Sequence, residues 1–441
     1  MKNGVGIHNQ DKTALVSLVP LKDGVEKAIE LCDGLKNFDP NMKVLIKPNL
    51  AAWIDNYPYP PFGVIVTGVV LEGIVKLLKD FGAKDITIGD GSVEDEEWGS
   101  GTDIIFRRLG YRRLISRYGV KLVDFNKGKH ERVKFGEFSL RVAPEILKTD
   151  FCINVPVFKT HQFTITSLGF KNLKGVLHKA SKKLCHHHPS HPIDEYIYEL
   201  GTKLYPHLNI VDGVYFLERG AMHTGRAHRV EVILAGRDMF SCDVVGSHML
   251  GVKDISKVEY LSLFAKANQR SLDPKTIEVR GLSPNDFIKD LETKPAWSVD
   301  GCGPIAFKKQ NIQGLSVYEP DRTLCTGAGF VFPALLVFLM SANKGVPFDD
   351  YEFLIGRSMK PSGHAKRTFL IGKCAIAINR NSKEIREAVE IHGCCPSVDE
   401  LLIALKINGI EAKGSAVKEF MSNLFRRYQE QGYPIDEYYI S

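Results

Sequence analysis

Lys159, Lys171, Lys174 and Lys179 fall within about twenty residues of one stretch, Phe151–Lys179, FCINVPVFKTHQFTITSLGFKNLKGVLHK. Ammonium groups donate hydrogen bonds and cannot accept them. Thr160, Asn172 and Gly175 stand among these lysines, and residues of these types can expose backbone N–H groups as well. Such a set suits a phosphate or a carboxylate. A solvated basic loop is the alternative. The lysines alternate with small and apolar residues instead of forming a plain charged run, and that favours a pocket.

Proton transfer needs other residue types. His161 follows Lys159 closely, and a neighbouring like charge lowers an imidazole's pKa and keeps it neutral near pH 7. Asp90, Asp212, Asp238 and Asp243 are expected at strand ends or just beyond, where a carboxylate acts as a base, holds a cation or caps the next helix. Asp212 is preferred, because Gly213 allows close backbone approach. Lys159, His161 and Asp212 are the candidate catalytic set.

Two further groups could hold metals. LCHHHPSHP contains His186, His187, His188 and His191. Imidazole is a common ligand of transition metals, and His188 with His191 is the better-spaced pair. An exposed loop that happens to be rich in histidine is the plain alternative. Cys325 in LCTGAG, Cys374 in GKC, and Cys394 and Cys395 in HGCCP are expected at glycine-flanked turns or strand ends. Thiolates gathered in this way hold a 4Fe–4S cluster or a single transition metal such as zinc. Cys302 in DGCGP is a further candidate ligand. Ala328 stands where a CTGCG turn would carry a ligand, so the pattern departs from a compact ferredoxin segment. Buried small hydrophobes are the other reading.

Elements must position these groups. FCINVPVF reads as a buried strand ending near Pro156, with Lys159 to His161 in the loop beyond it. Strands are expected over 14–20, 43–47, 86–88, 121–125, 208–211 and 229–235, and helices over 24–35, 69–81, 103–118, 193–204 and 240–250. A hairpin is expected over 133–142. Thr67 is the expected N-cap of its helix. The repeated strand–helix–strand order predicts an α/β fold with a mostly parallel sheet flanked by helices. In such sheets ligands bind outside the carboxyl ends of the strands. The texture changes near residue 296. A main domain over 1–317 and a smaller, cysteine-bearing α/β unit over 318–441 are expected. The second unit is read as an apolar helix over 327–342, strands over 351–355 and 368–378, and helices over 398–405 and 417–428. Its tail is expected to lie on the surface.

The chain has 441 residues, 44% hydrophobic and 25% charged, with a net charge of +6. These are ordinary values for a soluble globular protein. The mild positive balance suits an anionic small molecule. No arginine-rich arm or basic aromatic helix argues for nucleic acid. The start of the chain has no apolar signal core, and nine cysteines without disulfide spacing fit a reducing cytoplasm. The apolar run 327–342 is short for a bilayer and contains Pro333, so no membrane association is expected. P-loop, GxGxxG and GxSxG motifs are absent, which removes support from kinase-like, ordinary NAD-dependent and esterase readings.

KPN at Lys47–Asn49, IGD at Ile88–Asp90, NVPVFKTH at Asn154–His161, KNLKG at Lys171–Gly175, IVDG at Ile210–Gly213 and LAGRDMFSCDVVGSHMLG at Leu234–Gly251 occur in that order. Over roughly residues 14–255 this series resembles the family catalogued as domain of unknown function 362. The resemblance implies an α/β fold, frequent association with iron–sulfur segments, and a site on the lysine-rich loop. The expected substrate-binding set is Lys47, Asn49, Asp90, Lys159, Thr160, Lys171, Asn172 and Lys174. The expected function is an oxidoreductase-like enzyme with an anionic substrate, an iron–sulfur or metal centre and a redox partner protein. The alternatives are a metal-dependent lyase or isomerase, and a non-catalytic carrier of a cluster or metal.

Overall fold

The computed structural model describes residues 13–188, 190–220 and 224–441. The initial segment read for a targeting signal and Pro189 of the histidine-rich stretch lie outside the described residues. Sixteen strands are present among them: β1 (Leu15–Pro20), β2 (Lys43–Pro48), β3 (Asp85–Asp90), β4 (Lys121–Asp124), β5 (Glu131–Phe135), β6 (Phe138–Val142), β7 (Phe151–Val155), β8 (Val157–His161), β9 (Ile165–Ser167), β10 (Leu208–Glu218), β11 (Arg226–Gly236), β12 (Glu278–Gly281), β13 (Leu315–Val317), β14 (Tyr351–Ile355), β15 (Arg367–Ile371) and β16 (Ala388–Ile391). The main sheet runs β12-β1-β11-β10-β7-β2-β3-β4, with β8 beside β10 and β9 beside β8. β10, β7, β2, β3 and β4 are mutually parallel. β11 is antiparallel to both of its neighbours. The fold is α/β, as the strand–helix alternation predicts.

Both faces of the sheet are covered, and the side-chain alternation of β2 shows how. Val44 and Ile46 enter the core under the helices Gly24–Leu31 and Gly68–Asp80. Leu45, between them, enters the opposite core with the helices Ile193–Lys203 and Met239–Met249. Thr67 caps the helix Gly68–Asp80, its side chain accepting from Val70 N. The expected helix 103–118 is two helices, Thr102–Arg108 and Arg112–Tyr118, with Gly110 between them at φ +75°.

β13 to β16 form a second, wholly parallel sheet. β13 belongs to it by pairing with β14, so the boundary expected at 317/318 falls on the wrong side of a strand. The two sheets share one continuous core, which contains both Ile46 and Phe353. The tail is not a surface appendage. Tyr428, Tyr433 and Tyr438 surround Phe62 at ring separations of 5.0, 5.3 and 5.8 Å. The Tyr438 hydroxyl accepts from Gly63 N at 3.1 Å.

Candidate anion site at the strand ends

β2, β3 and β8 deliver Lys47, Asp90, Lys159 and His161 toward one edge of the main sheet. There they line a cavity of about 410 Å³ with Asn49, Lys171, Asn172, Lys174, Lys182 and His186. Pro156 interrupts the strand without ending it. β8 resumes at Val157, and Lys159–His161 are strand residues, not loop residues. Period-two alternation sends Lys159 and His161 to the cavity. Thr160, between them, donates to the carbonyls of Leu217 and Glu292 at 3.3 and 3.0 Å. Thr160 thus fastens the strand and is not among the residues that line the cavity, where it was expected.

The floor of the cavity is a buried polar network, in which Asp90 Oδ1 and Asn209 Nδ2 have no hydrogen-bond partner among the described residues. Lys47 Nζ lies 2.8 Å from Asp90 Oδ1 and donates to Asn172 Oδ1 at 2.9 Å and to the Pro48 carbonyl at 3.0 Å. Lys47 is thus held by one ion pair and two hydrogen bonds within the chain. The other Asp90 oxygen accepts from Leu50 N at 2.8 Å. Asn172 donates to Asn154, and Asn154 to Asn209. Burial lowers the Lys47 pKa, against the pull of Asp90. Gly175 is packed against this pair. A Cβ there would lie 2.1 Å from Asp90 Oδ1 and 2.6 Å from Lys47 Nζ.

Above the floor the amines are less committed. Lys159 Nζ donates to the Val64 carbonyl at 3.0 Å and to Asn49 Oδ1 at 3.4 Å. Burial, then the nearby Lys47 charge, pulls its pKa down to about 7. The Lys171 amine makes no hydrogen bond or ion pair with the described residues. Burial, then Lys174 and Lys159, pushes its pKa well below the usual lysine value. Lys174 donates to His186 Nε2 at 2.6 Å, and His186 Nδ1 faces the Arg322 carbonyl at 3.4 Å. Lys182 donates to the Gly91 carbonyl at 2.5 Å and to Asn126 at 3.0 Å. Among the described residues, five lysines and one carboxylate line this cavity, and that carboxylate is already paired. Lys182 escaped the sequence reading, and His186 was read there only within the histidine-rich stretch, not as part of this cavity. Their i, i+4 spacing on the helix Lys179–His187 puts them on one face, a signal that was legible.

His161 is buried, and burial followed by the Lys171 charge holds its pKa well below the usual imidazole value. Its Nδ1 accepts from Phe163 N at 3.1 Å, so the neutral ring carries its proton on Nε2. Asp212 stands apart and does not line this cavity. It is inside β10 and does not end a strand. It takes Thr67 N and Oγ1 at 2.7 and 2.8 Å and Val214 N at 3.0 Å. These contacts tie β10 to the start of the helix Gly68–Asp80, away from the cavity where a catalytic Asp212 was expected.

Cys325, Cys374, Cys394 and Cys395 line a second cavity of about 30 Å³ together with His187. Cys374 sits on the helix Gly372–Asn379 and not on a strand. Cys325 also lines the larger cavity, so the two spaces adjoin at this residue. Hydrogen bonds with Cys395 and then His187 lower the Cys325 pKa. Cys302 does not line this cavity and lies beside Asp300. Among the described residues, no group of three or more His, Cys, Asp or Glu side chains is arranged to hold a metal ion. The donor chemistry of four thiols fits a thiophilic centre, although their side chains do not form a ligand shell as placed. The His188 and His191 rings lie 4.5 Å apart. His191 Nδ1 is 2.6 Å from Glu195, and His188 Nδ1 accepts from Ser190 N.

No described helix is long and apolar enough to cross a membrane. The chain is 27% identical over 227 residues to the thylakoid-associated protein sll1697 of Synechocystis sp., covering 50% of this chain and 67% of that protein. The lactate racemase apoprotein from Thermoanaerobacterium thermosaccharolyticum aligns with a TM-score of 0.37 and 13% identity, over 54% of this chain and 57% of that one. A score that low supports no argument about fold or activity. The family described as domain of unknown function (DUF362) matches residues 44–248, which include β2, β3, β8 and the lysine-bearing segment that follows them. Over these residues the chain is similar to that family.

Proposed function

We propose that this protein is an enzyme acting on a small anionic metabolite held in the cavity at the strand ends. The observation that carries this reading is the excess of amines there: among the described residues, five lysines with one carboxylate that is already ion-paired. Lys171, without a hydrogen bond or ion pair among the described residues, is an open position for an anionic oxygen. Lys159, with a pKa near 7, suits proton transfer at neutral pH. His161 serves as a neutral Nε2–H donor, able to stabilise negative charge that develops on a bound oxygen. Calorimetric titration with sulfate, phosphate and acetate tests this. Wild type should bind at least one of them, and Lys171→Ala should bind it far more weakly at unchanged thermal stability. Equal binding by both would refute the site.

A redox role is the finer part of the proposal. Four cysteines lining one small cavity beside the anion site support it. Cys325, Cys374, Cys394 and Cys395 would hold a 4Fe–4S cluster or a single transition metal, which when bound would supply electron transfer to a partner protein. Anaerobic purification, elemental analysis and an optical spectrum test it. Metal-free, colourless protein would leave a thiol pair as the redox group.

A further inference from the structure

The anion cavity has two unlike kinds of lining residue. Its floor carries the amines. Its lining also includes Trp297, Phe332, Pro333, Leu336, Met340 and Phe420, which come from other elements. Four of these six belong to the helix Ala328–Ala342, whose sequence AGFVFPALLVFLMSA contains no charged residue. A helix that bounds an aqueous space ordinarily turns a polar stripe toward it. This one turns Leu336 and Met340 to the cavity while Leu335 and Leu339 fill the core behind. Trp297 adds a ring and no free donor, because its Nε1 already donates to the Val317 carbonyl at 2.8 Å. The ring stacks on Phe332 at 5.9 Å. Water against such a wall finds few hydrogen-bonding partners. The cavity, at about 410 Å³, is also in the range of pockets that enclose ligands much larger than a bare anion.

We propose that the ligand is amphipathic: a carboxylate or phosphate head on the lysines, carrying an apolar chain or ring that lies along the helix Ala328–Ala342. This rests on the anion reading above and adds the chemistry of the other half of the molecule. The two halves of the site come from different parts of the chain. The head group is held by the family-matched region 44–248, and the apolar group by residues beyond it. Differences in this wall would set which anion is accepted.

The test is calorimetric titration with acetate, butanoate, hexanoate and octanoate at fixed pH and ionic strength, each repeated in competition with sulfate. A parallel series of alkyl phosphates shows which head the lysines prefer. The expected result is a dissociation constant that falls roughly fourfold for each methylene buried, as about 0.8 kcal/mol per CH₂ implies, with sulfate displacing every member. Leu336→Asn should flatten the series. The wild-type slope alone decides the matter if that variant does not fold. If sulfate and acetate bind but affinity does not rise with chain length, the amphipathic ligand is refuted and the anion site stands. Long chains that bind without being displaced by sulfate also refute it. If no anion binds at all, both readings fall.

Discussion

The pH dependence of anion binding follows from the position of Lys159 and is open to a quantitative test. Its pKa is about 7 in the empty cavity, so it is half charged at pH 7 and about one per cent charged at pH 9. A bound anion favours the ammonium form and raises that pKa. If sulfate keeps Lys159 protonated through pH 9, binding must draw in the missing proton. Affinity then falls by the ratio of the free-state binding polynomials, (1 + 100)/(1 + 1), or about 50-fold between pH 7 and pH 9. That is about 2.3 kcal/mol. Lys171 is also lowered by burial and its lysine neighbours, so it adds in the same direction. Sulfate keeps its charge across this range, which leaves the protein as the titrating partner. Calorimetry in buffers of different ionisation enthalpy counts the protons. About half a proton should enter at Lys159 at pH 7 and about one at pH 9. Lys159→Met should lose that component of the slope. An affinity constant from pH 7 to pH 9 with no proton uptake would refute the reasoning.

Four further outcomes are expected. Lys159→Ala and Lys171→Ala should each weaken anion binding on the order of ten- to hundredfold, the loss of one charge-assisted contact of about 1.5–3 kcal/mol, whereas Arg112→Ala on an exposed helix face should change neither binding nor thermal stability. Asp90→Asn removes one partner of a buried pair whose side chains are 1% and 4% exposed, and urea unfolding should show a loss of about 3–5 kcal/mol. Gly175→Ala must displace that same pair and should cost about 1–3 kcal/mol in the same assay. Finally, Lys159 binds fewer protons folded than unfolded between pH 7 and its ordinary pKa of 10.5. Its contribution to anion-free stability therefore rises with pH across that window. The wild type should gain on Lys159→Met from pH 7 to pH 10, and a wild type that loses stability relative to the variant over that range would contradict the assigned shift.

The fold was legible wherever local pattern and tertiary context agree. β2 and β3 are short apolar runs flanked by helices of clear 3.6-residue period, and Thr67 and Ser397 are caps that the helices use. The errors arose where a local stop signal was overridden by pairing. Pro156 lacks only an N–H, and β8 continues because its partner in β10 supplies the remaining contacts. Asp212-Gly213 reads as a strand end, yet β10 runs on to Glu218 beside β11. Of the candidate site, the lysines could be read from residue type and spacing. That Lys47 is ion-paired with Asp90 while Lys171 has no partner among the described residues could not, because this depends on which acceptors other strands bring. The apolar wall was visible as a helix, but nothing local says which side of an all-apolar helix faces a cavity. The four cysteines share one cavity through turns and a helix end separated by up to 70 residues, a distance over which sequence spacing carries no geometric information.

The tyrosines packed on Phe62 bear on the order in which the protein can be made. Gly63 and Tyr438 are hydrogen-bonded partners 375 residues apart, and Ala227 N donates to the Tyr428 hydroxyl at 2.9 Å. Val64, whose carbonyl holds Lys159, follows Gly63 directly. A ribosome that has completed only the family-matched region has therefore made every lysine of the site, but none of the tyrosines that brace the loop beside them. Until residues 428–438 emerge, Phe62 has no such cover, and the nascent strand-end edge presents an aromatic surface to the chaperones that meet it. Production of the isolated 44–248 segment would carry the same defect permanently.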